Sequence, residues 1–403
     1  MTLRPLRAGF IPLVDAAPLI VAREKGFAEK HGIELHLRRS NSWASLRDRL
    51  SVGDVDAAHM LAPIAIASQL GLGNPKAPMV VPCALSMNGN AISVSNGLHD
   101  AMIKTGWTSA QARDPAASAM AVAEVIRSRA EKGAPPLTFA SVYPLSSHNY
   151  ELRYWFASAG IDPSQDVNLT VVPPPMIVDA LSEGHIDGFC VGAPWSSVGA
   201  ESGQSHIVAY KADMWPKGPE KVLAVREAWA DEHPNDVAQL VKVLVDSASW
   251  CADPANNDAL AQLLSGSENL AMDAGVIART LAGRVVESAS AKVENHLLFD
   301  PNVASYPHRA HALWFYAQMV RWGQIDHSKA NVEATKKAYR PEFYRQAMGM
   351  PDVDDTGDDE TPDGNGRGGS HDSLLADLQL FDGRTFDPND LDGYLANLGL
   401  RLP

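Results

Sequence analysis

Apolar and polar positions alternate in the same order twice along the chain. Residues 53–64 read GDVDAAHMLAPI and residues 184–195 read GHIDGFCVGAPW, 131 positions apart. Each copy gives Gly, any residue, a β-branched aliphatic, Asp, a short apolar run and Ala-Pro. The flanks repeat as well, which makes this a duplicated unit rather than a chance match. LRAGFIPLVDAAPLIVAREKGFAEKHGIELHL precedes the first copy and LTFASVYPLSSHNYELRYWFASAGIDPSQDVNLTVV the second. Both open on a short apolar run closed by a Pro-containing loop, the pattern of a buried strand. Both continue into a helical pattern stopped at a glycine, Gly32 or Gly160, and then into a β-rich run. A second helix follows, carrying Leu46 and Leu50 or Ile177 and Leu181, ended by Gly53 or Gly184 and then a strand. The order β-α-β-α-β in each half predicts an α/β protein with two parallel sheets, each flanked by helices.

At 403 residues the chain exceeds what one core usually serves, in keeping with two lobes. The expected division is residues 1–96 for the first lobe, 97–210 for the second and 211–350 for a return to the first, with crossings near 94–97 and 208–216. Ala- and Ser-rich residues 97–136 read as one or two joining helices, and 227–350 as a helical region packed mainly on the first lobe. Residues 351–372, PDVDDTGDDETPDGNGRGGSHD, are acidic and Gly-rich with few apolar side chains, and predict a disordered linker. Residues 373–403 form a tail with enough apolar side chains to dock or to form a short helix.

Composition narrows the function more than the fold. With 45% hydrophobic and 20% charged residues the chain has the make-up of a soluble globular protein, and it lacks an apolar run of membrane-spanning length. A net charge of −14 argues against direct nucleic-acid binding but leaves room for a small anion held by local donors. Cys83, Cys190 and Cys251 are odd in number and widely spaced, which suits a reducing compartment without structural zinc. The first apolar stretch is broken by Pro12 and Asp15, unlike a signal peptide, so the expected location is cytoplasmic. The sequence contains no Ser-His-Asp spacing, phosphate loop or metal motif, so an enzyme is not expected, and neither is a cofactor. His308 and His311 share a helix face but lack a third ligand, and read as core or surface histidines. The acids of 352–363 read as a solvated linker rather than a metal site.

In an open parallel sheet, ligands collect at the carboxyl ends of strands, where helix N-termini face the crevice. PLVDAAP, SNSW, YPLSSH and VGAPW lie at such junctions. They hold Trp43, His148 and the amides of Val191 and Gly192, a donor-rich set with no carboxylate cluster, which points to an anion.

Together, GFIPLVDAAPLIVAREKGFAEKHGIEL, SWASLRDRLSVGDVDAAHML, NGNAISVS, SSHNYELRYWFASAGIDP, DGFCVGAPW and GPEKVLAVREAWADEHPN resemble the solute-binding proteins of nitrate and bicarbonate ABC transporters. The resemblance is nearer to their signal-less relative, the cytoplasmic nitrate/nitrite sensor of assimilation operons, and covers most of 1–350. It implies a two-lobed periplasmic-binding-protein-like fold of type II with a helical extension on the first lobe. It also implies a nitrate or nitrite pocket at Trp43, Asn90, His148, the backbone of Val191 and Gly192, and Lys221. Nitrate is planar and acceptor-only, and calls for edge donors and about one compensating positive charge. On this reading Lys221 supplies the charge while His148, Trp43 and the Asn90 amide donate. The transporter-type pattern has Gln where Asn90 stands, and that shorter side chain could admit water or a different anion. None of the positions carried over is acidic, which favours nitrate or nitrite over bicarbonate. Taken singly, each residue has an ordinary use: Trp43 in packing, His148 in a local hydrogen bond, Asn90 in a turn, Lys221 on a solvated surface.

The resemblance implies a sensor that holds an RNA-binding antiterminator of the ANTAR type and releases it on nitrate or nitrite binding. The alternative is the solute-binding component of a nitrate, or bicarbonate- or sulfonate-type, ABC transporter.

Overall fold

A computed structural model of the chain describes residues 3–73, 77–284, 291–351 and 378–399. The repeated Gly-x-β-Asp segment is a piece of turn chemistry. Gly53 and Gly184, at φ +79° and +75°, end their helices in the left-handed region that glycine occupies without a Cβ penalty. Three residues on, the Asp reaches the first strand of its own half. Asp56 accepts from the Arg7 amide at 2.9 Å and Asp187 from the Thr138 amide at 2.8 Å. Each Asp also donates its own N–H back to the carbonyl of that same residue, at 2.8 and 2.7 Å. The Ala-Pro step then opens a helix, Ala62–Gln69 in the first copy and Trp195–Glu201 in the second.

Two five-stranded sheets result. The strands in chain order are β1 (Arg4–Phe10), β2 (Ile33–Arg39), β3 (Ala57–Leu61), β4 (Met79–Ala84), β5 (Met87–Asn88), β6 (Asn90–Ser95), β7 (Leu137–Ser141), β8 (Val167–Val171), β9 (Gly188–Gly192), β10 (Ser205–Tyr210), β11 (Lys221–Arg226) and β12 (Leu297–Leu298). The first sheet runs β2-β1-β3-β11-β4 and the second β10-β6-β9-β7-β8, while β5 and β12 pair separately. The parallel triplets are the two repeats: β1 aligns with β2 from Arg4↔Ile33 to Phe10↔Arg39, and β7 with β8 from Leu137↔Val167 to Ser141↔Val171. β3 and β9 are buried along their whole length, as expected of strands covered on both faces.

The sheets are mixed rather than all parallel, which corrects the expectation from the β-α alternation. β11 runs antiparallel to β3, from Lys221↔Leu61 to Val225↔Ala57, and β6 antiparallel to β9, from Asn90↔Gly192 to Val94↔Gly188. Both are strands that arrive from the other lobe and insert against the central strand of the repeat they join. For the same reason the first crossing lies before Asn90, not at 94–97, since β6 is already a strand of the second sheet. The second crossing lies between Tyr210 and Lys221. The helices Asn96–Lys104 and Pro115–Glu131 pack into the second lobe rather than joining the halves.

The helical region after β11 lies mainly on the first lobe. Pro234–Ala252 packs on Ala17–Glu24 and on Pro341–Met348, and Arg309–Arg321 and Lys329–Ala338 pack on Ala62–Gln69. It also reaches the second lobe, where the Thr280 and Ser197 hydroxyls meet at 3.2 Å. His308 and His311 are buried with ring centroids 5.0 Å apart, so they belong to the core. The three cysteines are free and buried. Of the acidic linker expected at 351–372, residues 352–372 lie outside the described residues. The tail from Leu378 docks and ends in the helix Leu391–Asn397. Among the described residues no helix is long and apolar enough to cross a membrane.

Candidate functional site

The two lobes meet at the carboxyl ends of their parallel strands, and the same local design delivers a side chain from each. In the first lobe, Ser42 caps the helix Trp43–Ser51 by accepting from the Ser45 amide. In the second, Ser146 caps Ser147–Ser158 by accepting from the Asn149 amide at 3.1 Å. The caps hold Trp43 and His148 in the first turns, where free backbone N–H groups and the helix dipole favour negative charge. Asp15 stands in the turn just after β1, His59 in the middle of β3 and Lys221 at the start of β11. Asn90 opens β6 directly opposite Gly192, the last residue of β9. Beside them the Val14 amide donates to the Ala193 carbonyl at 3.0 Å, joining first lobe to second at the edge of the site.

The structure brings all six sequence-derived positions together. Trp43, Asn90, His148, Val191 and Lys221 are fully buried, so the lobes are closed over the site. A Cβ built on Gly192 would stand 3.4 Å from Asn90 Oδ1, 3.4 Å from Asp15 Oδ2 and 3.6 Å from His148 Nε2. The bare Gly192 Cα is therefore the floor of a space ringed by polar atoms of both lobes. The Lys221 ammonium lies 5.6 Å from the centre of the Trp43 ring, and the Trp43 and His59 rings are 5.3 Å apart. The Val191 side chain packs into the apolar core.

Three features correct the sequence reading. The site contains carboxylates, and Lys221 is not a free charge. Lys221 Nζ lies 3.0 Å from Asp15 Oδ2 and 2.6 Å from Glu220 Oε1. Glu220 also accepts from Lys211 at 2.5 Å and from the Ser147 hydroxyl at 2.6 Å, and Lys211 reaches Glu151 at 2.7 Å. Finally, Asn90 does not offer its amide N–H groups to the cleft. Its Nδ2 donates to Glu220 at 2.7 Å and to Glu151 at 2.9 Å, so its carbonyl oxygen faces Gly192. A carboxylate only accepts when ionised, and this fixes which way the amide points.

Electrostatics follow from burial and pairing. Burial alone would raise the Asp15 carboxyl, but Lys221 and His59 hold it below the usual carboxylate range. Burial opposes charge on Glu220 too, and Lys211 and Lys221 outweigh it. Lys221 is raised because Asp15 and Glu220 overcome its burial. Burial, with Lys221 adding repulsion, pushes His148 down to about 3, so its imidazole is neutral and carries one N–H. Both ring nitrogens of His148, Trp43 Nε1 and Asn90 Oδ1 have no hydrogen-bond partner among the described residues. His59 Nε2 lies 2.9 Å from Asp15 Oδ1 without the alignment of a full hydrogen bond. What distinguishes these atoms from other unpartnered ones in the chain is that they come from both lobes to one place beside Lys221.

Sequence reasoning missed Asp15, His59, Glu151, Lys211 and Glu220. Two signals were available: Asp15 sits inside a strand-to-helix junction, and Glu151 lies one turn after His148 on the same helix face.

A two-lobed, periplasmic-binding-protein-like fold with a buried polar cluster where the lobes meet is the class that this structure defines. The chain belongs to the NMT1-like family, whose model matches residues 2–265. It is 34% identical, over 97% of its length, to the nitrate import ATP-binding protein NrtC of Synechocystis sp. (strain PCC 6803). It spans 54% of that relative, about half its length. It is 29% identical to the bicarbonate-binding protein CmpA of Synechococcus elongatus (strain PCC 7942), covering all of this chain and 88% of the relative. Among solved structures, the periplasmic nitrate-binding protein NrtA from Synechocystis PCC 6803 superposes with a TM-score of 0.83 at 27% identity, over 99% of both chains. CmpA and NrtA are both binding proteins.

Proposed function

We propose that the cleft binds a small planar oxyanion, nitrate or nitrite, and that the chain is a cytoplasmic sensor which holds an ANTAR-type antiterminator when empty and releases it when filled. The ligand part is carried by one observation: buried polar groups without partners come from both lobes, His148 of the second beside the Gly192 floor and Trp43 Nε1 of the first on the ring that faces the Lys221 ammonium. An acceptor-only planar ion bridging these groups stabilises the closed arrangement and no other. Lobe position then reports occupancy, and a partner that prefers the open form is released as the ligand binds. The two effects are reciprocal, so the partner weakens anion binding by the same factor. Neither nucleic acid nor membrane is a direct partner on this reading.

The second reading is a solute-binding component of a nitrate or bicarbonate ABC transporter. The relatives favour it equally, and the Asn90 carbonyl and the Asp15 oxygens add acceptors able to receive the O–H of bicarbonate. This removes the argument from an acid-free pocket that favoured nitrate and nitrite.

Co-purification of the chain with the antiterminator, in nitrate, in nitrite and in chloride, separates the two. The sensor reading expects a complex in chloride that dissociates in nitrate or nitrite. A complex equally stable in all three, with anion binding verified separately, contradicts the sensor and leaves the transport reading.

A further inference from the structure

Three carboxylates and two ammonium groups meet here out of reach of solvent. Asp15, Glu151, Glu220, Lys211 and Lys221 are each at most 5% exposed, and the neutral imidazoles of His59 and His148 lie among them. With all five ionised, the cluster already carries one negative charge in excess, and an arriving anion adds a second. A buried charge without a counter-charge is avoided in proteins by a change of protonation, since its desolvation is otherwise uncompensated.

The connections say where a proton goes. Lys221 serves Asp15 and Glu220, while Lys211 is shared between Glu220 and Glu151. By this sharing Asp15 and Glu151 each have half a lysine, but Asp15 also has His59 Nε2 at 2.9 Å, whereas Glu151 shares both Lys211 and the Asn90 amide with a second carboxylate, Glu220. From β6 Glu151 meets Asn90 Nδ2 at 2.9 Å, and from β9 the Cys190 thiol at 3.5 Å. From the crossing segment it faces Lys211 and Glu220, and on its own helix His148 lies one turn before it and Tyr154 three residues after it. Tyr154, Met214, Trp215, Trp314 and Leu380 join it and Lys211 around a small cavity. Burial holds the Glu151 carboxyl above the usual range, with Lys211 offsetting part of the effect and Glu220 adding to it.

We propose that the cleft takes up its anion together with one proton from solvent, which is held on Glu151, so that filling the site leaves the charge of the buried cluster unchanged. This rests on the reading of the cleft as an anion site. Each anion bound converts one Glu151 carboxylate to the carboxylic acid, and no other bond forms or breaks.

Calorimetric titration of the whole chain with sodium nitrate near neutral pH, in phosphate and in Tris, tests this. The two buffers differ in ionisation enthalpy, so the difference between the two heats counts protons. The expected count is about one per nitrate, with affinity falling about tenfold per pH unit once Glu151 is ionised in the empty protein. The variant Glu151→Gln, which keeps an oxygen for Lys211, is expected to bind with no proton uptake and a flat pH profile. Saturable binding by the wild type with equal heats in both buffers would overturn the proposal, as would a Gln variant that still takes up a proton. The wild-type comparison decides even where the variant does not fold. Absence of saturable heat with nitrate, nitrite and bicarbonate alike would overturn the anion-site reading itself, and the proposal with it.

Discussion

Lys221 holds two buried carboxylates at 3.0 and 2.6 Å, so its loss is felt by the fold as well as by the ligand. Lys221→Ala leaves Asp15 and Glu220 short of a counter-charge, and a broken buried pair typically costs about 3–5 kcal/mol. The expected result is a fall of that order in urea-unfolding free energy together with loss of nitrate binding. Trp43→Phe removes the indole N–H and keeps only part of the buried aromatic surface. Affinity is expected to fall by on the order of 1.5–3 kcal/mol, the range for hydrogen bonds to charged groups, alongside a cavity cost in unfolding on the order of 1–2 kcal/mol. Acid sensitivity follows from His148. Its pKa drops from 6.5 to about 3 on folding, so between those values the unfolded chain binds a proton that the folded one refuses. Its stabilising share is fully present above 6.5 and is lost as pH falls toward 3. Asp15 and Glu220, also held low, add to the loss at the acid end. Thermal unfolding followed from pH 7 downward is expected to show a falling Tm, and a shallower fall in His148→Gln. An equal slope in both proteins would remove His148 from that account. Trp43 and His148 were legible because a Ser cap after a strand places the next residues at a helix start. The direction of the Asn90 amide was not, because it is set by Glu220, 130 residues away.

At the scale of elements, two glycines on β9 separate ligand space from packing space. A Cβ at Gly188 would lie 2.5 Å from the Phe139 ring and 2.9 Å from the Ser93 carbonyl oxygen, so Gly188→Ala forces β9 away from β6 and β7. Overpacking of this kind costs about 1–3 kcal/mol, readable in chemical denaturation. At Gly192 the nearest atoms are at ordinary contact distances. Gly192→Ala meets no hard overlap and is therefore expected to disturb unfolding less than Gly188→Ala, while its methyl group occupies the space ringed by Asn90, Asp15 and His148. The repeated Gly-x-β-Asp units were legible because the turn and the Asp bridge to the first strand are set by a few neighbouring residues and one strand pairing. The lobe membership of β6 and β11 was not, because it is decided by antiparallel pairing with strands of the other half, and nothing in a six-residue apolar run says which sheet it joins.

At the scale of the whole molecule, the docked tail ties the lobes together. The Tyr154 hydroxyl, on a second-lobe helix, donates to Asp382 at 2.9 Å, and the Phe381 amide donates to the Met214 carbonyl in the crossing segment at 2.9 Å. Leu378, Phe386 and Leu395 are fully buried in a cluster that includes Trp314 and Phe315 of the first-lobe extension. A chain ending after Met350 is expected to lose several kcal/mol of stability, since burial of one such side chain contributes about 1.5–3 kcal/mol; unchanged Tm would show that the tail is only an appendage. The central claim concerns the cleft, and it is tested most directly by calorimetric titration of nitrate into the wild type and into Gly192→Ala, with matching thermal unfolding curves as the control for folding. The account predicts saturable binding of one anion per wild-type chain and none to the variant. Equal affinity in both proteins would place the anion elsewhere and contradict the account.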